Sequence, residues 1–593
     1  MMGTSSLLWA ERSWREQVRP FRGMWDDLCR RRPFYPGDWR LGRGARHKGQ
    51  NLTILISSVV QIYFLNLIPA LAFVLEMYEK TDGVYGVNEA LFASALAAVL
   101  FALFSCQPLQ IVGVTGLIGL VNFTQYNIFV QTLHLDQSTY LMIQAWVLIW
   151  AAIFHFIAAI VNLCDYARFF TEMTADTFGL YVGVVYCSKG VELLMAEFAH
   201  ADSLASAWFA TTLAILFFVT EEAGQHFLRQ LHRSVRRYLS AHLFAVAILF
   251  WTGFTYFGGP SNFPLRTLPL SPAAWQPTLD RPWLIPFWQL ETRWVFVALP
   301  LGFLVFLLFY FDHNVSAVMA QARRFPVQTP AGFHWDFFLL GVLTMISGLF
   351  GLPAPNGLVP QAPDHTASLC GWQRVSTVLP APTTLADPPA TLADPPATSP
   401  MLVEIAPSSE PVSNERASHL SSVQESNGLS HSDHREREAD YIVEQRLSPL
   451  LIGVLIIATM SDAWLQALGT IPRAIFAGVC FVIGWNGVKG NPIVAHLLAL
   501  VGAAKPPHVN MMRTSRGAHF FLSLQVVFFA IAFGISQSPT AAIGFPVIIT
   551  LMIPLRSLLL PKLGLYRDEN TLTQLDPPVT ETPQVLASIG GPL

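Results

Sequence analysis

One carboxylate stands apart chemically. Asp312 lies near the end of the apolar run VALPLGFLVFLLFYFDHNVSAVMAQ, residues 297–321, and apolar residues resume after it before Arg323 and Arg324 close the stretch. An unpaired charge inside hydrocarbon costs on the order of 3 kcal/mol, so acids placed there usually face a polar cavity and often serve transport. The same residues also fit an acid at the cytoplasmic lip of a span, solvated or paired with Arg323 or Arg324. His313 does not complete a metal site with Asp312: adjacent helical residues point about 100° apart, and no third ligand is evident. No metal or cofactor set emerges elsewhere. An HExxH pair, a nucleophile elbow and paired intramembrane aspartates are all missing from the sequence, which argues against an enzyme.

Two further stretches carry polar atoms into apolar surroundings. Residues 107–126, QPLQIVGVTGLIGLVNFTQY, open on Gln107-Pro108 and continue through Gly113, Thr115 and Gly116; residues 352–370, LPAPNGLVPQAPDHTASLC, pass Asn356, Gly357, Pro360 and Gln361. Extended backbone around the prolines would feed a half-helix in each case. Half-helix N-termini expose amide donors and the positive end of a dipole, and transporters built from inverted repeats set such ends around a midplane substrate. Tyr63, Asn66 and Pro69 break the first span in the matching position of the other repeat, and Asp312 would face the first half-helix across the pocket. Pro and Gly also occur in ordinary kinked spans; the occurrence of two breaks in register favours the repeat.

The elements that would hold these residues follow from composition. The chain is 52% hydrophobic and only 13% charged, with a mean hydropathy of +0.44. That is the composition of a polytopic membrane protein rather than a soluble one or a nucleic-acid binder. Six cysteines show no CxxC pairing, and Cys106, Cys164, Cys187 and Cys480 fall in apolar runs as small hydrophobes. Clear spans, each long enough for roughly 20 helical residues across the bilayer, lie near 51–77, 87–106, 138–163, 204–220, 238–257, 294–320, 334–351, 447–467, 471–488, 516–534 and 539–560. With the two broken stretches and 169–195, the expectation is about fourteen spans in two seven-span repeats, all helical.

Positive charge sets the orientation. The N-terminal segment 1–50 is basic and has no signal-peptide core, so it is expected in the cytosol. Its RGARHKGQ stretch could touch anionic lipid or simply obey the positive-inside rule. The basic stretches at 229–238, 320–325, 371–446 and 505–516 alternate with connections poor in Lys and Arg, which puts them, the N-terminus and the 561–593 tail on the cytosolic side. The loop 258–293 is a partial exception, rich in Pro and Trp. The 371–446 insert, with TLADPPA twice in tandem, is too polar and Pro-rich to order itself. The expected domains are thus 1–50, spans within 51–370, the insert 371–446, spans within 447–560, and the tail 561–593. Three sequons, at Asn51, Asn122 and Asn314, lie in or beside spans or on the cytosolic side, where glycosylation is not expected.

Several of these segments, taken together, resemble a known family. QPLQIVGVTG, FTEMTADTFG, FYFDHNVSAVMAQ, FHWDFFLLGVLTMISGLFGLPAPNGLVPQAPDHTASL and YIVEQRLSPLLIGVLI followed by IPRAIFAGVCFVIGWNGV look like the bicarbonate transporter and anion exchanger family, in particular its borate transporter branch. The likeness covers most of 33–560 apart from the insert. It implies an inverted repeat with a core domain (spans 1–4 and 8–11) and a gate domain (spans 5–7 and 12–14), a homodimer through the gate domains, and elevator-like alternating access. The family's acidic residue of the eighth span falls on Asp312. An arginine of the chloride and bicarbonate exchangers falls on Gln361, and loss of that fixed cation fits the borate branch. The exchangers' long N-terminal domain has no counterpart, and the insert exceeds the family's short loop.

The function this implies is export of borate, or of boric acid coupled to protons, with exchange of bicarbonate or another inorganic anion as the alternative. The expected substrate-binding residues are Asp312, Gln107, Pro108, Thr115, Gly116, Asn356, Gly357, Gln361, Tyr63 and Asn66. Asp312 would also couple protons, since burial and a neighbouring anion both favour the neutral carboxyl. Partners are the boron species, protons or bicarbonate, membrane lipid and a second copy of the chain, with no nucleic acid. The expected location is the plasma membrane, with the vacuolar membrane as the alternative.

Overall fold

A computed structural model describes residues 19–40, 48–200, 203–228, 230–231, 233–271, 273–322, 324–374, 437–502, 516–538, 540–563, 576–577, 579–580 and 583–589. Most of the insert, the first eighteen residues and much of the tail lie outside that set. A short helix α1 (Arg22–Arg31) precedes α2 (Lys48–Lys80) and α3 (Val87–Phe104). The two-residue strand β1 (Val112–Gly113) leads to α4 (Gly116–Tyr126), then α5 (Gln137–Ile160), α6 (Glu172–His200), α7 (Leu204–Leu228) and α8 (Arg233–Phe254). The second half repeats the order. It runs α9 (Thr292–Ala320), α10 (Phe333–Phe350), β2 (Asn356–Gly357), α11 (Gln361–Ser368), and, beyond the strand pair β3 (Cys370–Arg374) and β4 (Arg437–Ile442), α12 (Leu447–Thr459) and α13 (Asp462–Gly469). α14 (Arg473–Lys489), α15 (Pro492–Leu500), α16 (Arg516–Ser536) and α17 (Phe545–Pro554) complete it.

The apolar runs are helical because a backbone without water must satisfy its own amides. Among the described residues nine helices are long and apolar enough to cross a bilayer, and α12 with α13 forms a further apolar unit bent by 84°. The apolar stretch expected as a span over 447–467 is thus two helices rather than one continuous helix. Ser461 adopts an extended conformation and Asp462 opens the next helix, a helix-start signal that outweighs the continuous hydrophobicity. α15 is a helix lying between the spans expected at 471–488 and 516–534. α4, α8, α11 and α14 occupy the remaining positions where spans were expected. The two repeats match closely: α3 and α10 are both 18 residues long, and each is followed by extended backbone, a two-residue strand and a half-helix.

The helices fall into two groups. α5 packs along α9 and α10, and α12 along α3, while α14 packs along α6 and α7. Close approach is allowed where side chains are missing. A Cβ on Gly484 would come 2.7 Å from the Gly183 carbonyl oxygen, and one on Gly302 would come 2.6 Å from Trp150 Cβ, the small-residue contacts by which membrane helices associate. The flanks of the insert are tied together by β3 and β4, which pair antiparallel with Cys370 opposite Ile442. Asn51, Asn122 and Asn314 are all buried.

Candidate substrate site

β1 and β2 bring the two broken segments face to face. They pair antiparallel, Val112 opposite Gly357 and Gly113 opposite Asn356, so α4 and α11 start close to one point from opposite repeats. α4 is capped by its own sequence: the Thr115 hydroxyl accepts a hydrogen bond from the Ile118 amide at 3.4 Å. α11 begins at Gln361 after Pro360, which offers no side-chain acceptor.

Asp312 comes to the same point from α9. It is 2% exposed, and Asn356 Nδ2 donates to its Oδ2 at 2.9 Å. Asn356 is itself oriented, because its Oδ1 accepts from the Gly357 amide at 2.8 Å. Asp312 is therefore an interior acid held by an amide, and the reading that paired it with an arginine at the lip of the span is overturned for Arg324, the one of the two that is described. A chamber of about 30 Å³ is lined by Asp312, Thr115, Gly116, Gly357, Gln361 and Tyr186 together with apolar neighbours. Among the described residues no Lys, Arg or His lines it. It adjoins a larger cavity of about 420 Å³ beside the C-terminal end of α2, where Glu76, Lys80, Asp82, Lys189 and Glu192 face inward.

Of the residues expected to bind substrate, Asp312, Thr115, Gly116, Gly357 and Gln361 line one chamber, with Asn356 directly behind it. The others lie elsewhere. Gln107 is spent on the approach to the first half-helix: its amide donates to Asp336 Oδ2 at 3.0 Å, its Nε2 to Gln321 at 3.0 Å, and its Oε1 accepts from Leu109. Pro108, beside it, is outside the lining. Tyr63 hydrogen-bonds Thr459 at 2.6 Å and so joins α2 to α12. Asn66 is buried against β1, where its Oδ1 would sit 2.8 Å from a Cβ on Gly113, and both its amide atoms are without a hydrogen-bond partner.

Sequence reasoning missed Phe73, Val182 and Tyr186, which line the chamber from α2 and α6. An aromatic or Val in an apolar helix reads as core, so no signal singled them out. It also passed over two acids that fix the site from below. Asp336, at the start of α10, accepts from the amides of Cys106 and Gln107 at 2.5 and 3.0 Å. Asp27 of α1 accepts from the amides of His334 and Trp335 at 2.9 and 3.2 Å, a carboxylate at a helix N-terminus.

The chain matches the family model described as the HCO3- transporter integral membrane domain over residues 19–214, 204–378 and 407–578. A Schizosaccharomyces pombe protein named as a transporter is 35% identical, over 93% of this chain and 95% of that one. Boron transporter 1 of Saccharomyces cerevisiae is 32% identical, over 90% of this chain and 81% of that one. Among solved structures, the murine Solute Carrier 26 family member A9 anion transporter in its inward-facing state shares the fold with a TM-score of 0.51 at 10% identity, over 88% of this chain and 70% of that one. With two inverted repeats crossing at an acid and two half-helix ends, and with the family model matched along most of its length, this chain belongs to the bicarbonate transporter family and is a multi-pass membrane transporter, not an enzyme.

Proposed function

We propose that this transporter exports boron, as borate or as boric acid with a proton, by elevator-like alternating access of the α2–α5 and α9–α13 core against the α6–α8 and α14–α17 gate. The observation that carries the reading is the chamber's chemistry: a buried carboxyl, an amide and a hydroxyl, with no cation among the described residues that line it. A site for a permanent anion would be expected to keep a fixed positive charge. A polyhydroxy species that interconverts between neutral and anionic forms needs hydrogen-bond partners instead, and can use the partial charge of α4 and α11. The name of the Saccharomyces cerevisiae relative, Boron transporter 1, supports the same substrate.

Asp312 then serves as the proton carrier. With the carboxyl neutral, the half-helix ends receive the anion without a competing charge; with the carboxyl ionised, the anion is expelled. Proton and borate thus move as a linked pair, because each disfavours the other's absence. The protein sits in the plasma membrane with both termini cytosolic, so the larger cavity opens to the outside, and two copies associate through their gate helices.

The test is boron efflux from cells lacking their own exporter and loaded with boric acid. Wild type should lower cell boron, and Asp312→Ala at matched surface expression should not. Asp312→Asn should retain at most a slow efflux that no longer responds to pH; full rate with an intact pH response would sink the coupling role. The name of the matched domain favours bicarbonate as a second reading. Wild type that leaves boron unchanged yet moves bicarbonate would replace the substrate and keep the fold.

A further inference from the structure

The chamber and the outer cavity share a wall made of Phe73, Gly116, Leu117 and Val185. Phe73 of α2 is 3% exposed and meets Tyr186 of α6 edge to face, with ring centroids 4.9 Å apart and planes at 65°. Its ring also rests on the first residue of α4: a Cβ on Gly116 would lie 2.3 Å from a Phe73 ring carbon. Phe73 is therefore held between a glycine of its own helix group and a tyrosine of the other. The Tyr186 ring in turn lines the chamber beside Gln361.

We infer that Phe73 and Tyr186 are the outer door of the substrate chamber, and that substrate passes to the large cavity only when this aromatic pair separates. The inference rests on the chamber being the substrate site. Its placement argues for a door that is shut, since Phe73 lines both spaces and its ring meets that of Tyr186 at 4.9 Å. The strength of the contact argues for a door that opens. An aromatic pair adds only a little beyond its buried area, whereas the ion pairs just above it, such as Lys189 with Glu76 at 2.6 Å, link the same two helices by charge. Because one ring belongs to each helix group, relative movement of the groups would part them without dragging a charge through the chamber.

The experiment is chemical access from outside the cell in the full-length protein. Thr115→Cys places a thiol in the chamber, Leu120→Cys places one in the outer cavity, and the unsubstituted chain gives the background from Cys187. A membrane-impermeant methanethiosulfonate reagent should modify the Leu120→Cys thiol quickly and the Thr115→Cys thiol slowly. Adding Phe73→Ala should speed the Thr115→Cys reaction about tenfold, the factor that about 1.4 kcal/mol corresponds to, and leave the Leu120→Cys rate unchanged. If Phe73→Ala does not reach the surface, Tyr186→Ala opens the same door from the other helix and should give the same acceleration. The door is overturned if Thr115→Cys reacts as fast as Leu120→Cys with both rings present, if neither ring removal accelerates it, or if Leu120→Cys is not modified from outside. Modification requires no boron. Faster access in a chain that fails to export boron keeps the door and removes the substrate reading, and the converse result does the opposite.

Discussion

The two half-helices stand at equivalent places in the two repeats, yet their starts are finished differently. The approach to α4 is closed on itself. Asp336 takes the amides of Cys106 and Gln107, Gln107 takes that of Leu109, and Thr115 caps the helix. The approach to α11 is anchored at its far end, where His365 bonds the Leu109 carbonyl at 2.8 Å and Ser448 at 2.7 Å. Its start has no side-chain cap, its Gln361 Oε1 is without a partner, and its Asn356 is turned toward Asp312. The fold is symmetric and the chemistry is not: the first repeat supplies a capped half-helix start, and in the function we propose the second supplies the groups that exchange partners with a substrate.

After Asp312 itself, removing an exchangeable group should produce the largest effect on transport. Asn356→Ala deletes the hydrogen bond to Asp312, and leaving a buried polar group unsatisfied costs about 1–3 kcal/mol. We expect boron efflux to fall about tenfold or more while the protein still reaches the surface. An Asn356→Ala protein that exports at the wild-type rate would place the exchangeable chemistry elsewhere.

The corresponding cut in the first repeat should damage stability before transport. Asp336→Ala strands the Cys106 and Gln107 amides, again about 1–3 kcal/mol for each buried donor left unmet. The expected outcome is a lowered melting temperature of the detergent-solubilised protein and poor surface expression, with near-normal efflux per surviving molecule. Loss of efflux at an unchanged melting temperature would erase the distinction between the two repeats.

Gln361→Arg sharpens the comparison from the other side. It sets a guanidinium near Asp312, and at about 4 Å two unit charges attract by about 4 kcal/mol at an effective dielectric of 20. The expected result is a chamber locked by an internal ion pair, with boron efflux reduced severalfold and less sensitive to pH. Unchanged pH sensitivity would show that Asp312 does not titrate during the cycle.

Much of this arrangement was legible because few physical explanations fit the residues concerned. A carboxylate in an apolar run, and two Pro and Gly breaks at matching places, led to Asp312, Thr115, Gly116, Asn356, Gly357 and Gln361. Other polar residues near the same breaks lie outside the chamber lining. Gln107 and Tyr63 carry the same side-chain chemistry as ligands but spend it on structure, at Asp336, Gln321 and Thr459, and only the three-dimensional partner tells the two uses apart. Phe73 and Tyr186 were invisible for the opposite reason, since their place in the chamber wall comes from position within an ordinary apolar pattern. The bend between α12 and α13 did have a signal in Ser461-Asp462, masked by the hydrophobicity on either side.

The smallest effect should come from Thr115, although it lines the chamber. Its hydroxyl is already engaged as the α4 cap, at a long 3.4 Å from the Ile118 amide. Thr115→Ala should therefore cost about 1 kcal/mol of stability, the usual loss for a helix cap, and change boron efflux by less than about tenfold, which would correspond to 1.4 kcal/mol. Thr115→Ser keeps the cap and should restore the melting temperature. If Thr115→Ala instead abolishes efflux and Thr115→Ser restores it at equal stability, the hydroxyl binds substrate directly. The first half-helix would then share in the exchange chemistry, and the difference between the repeats would be one of degree.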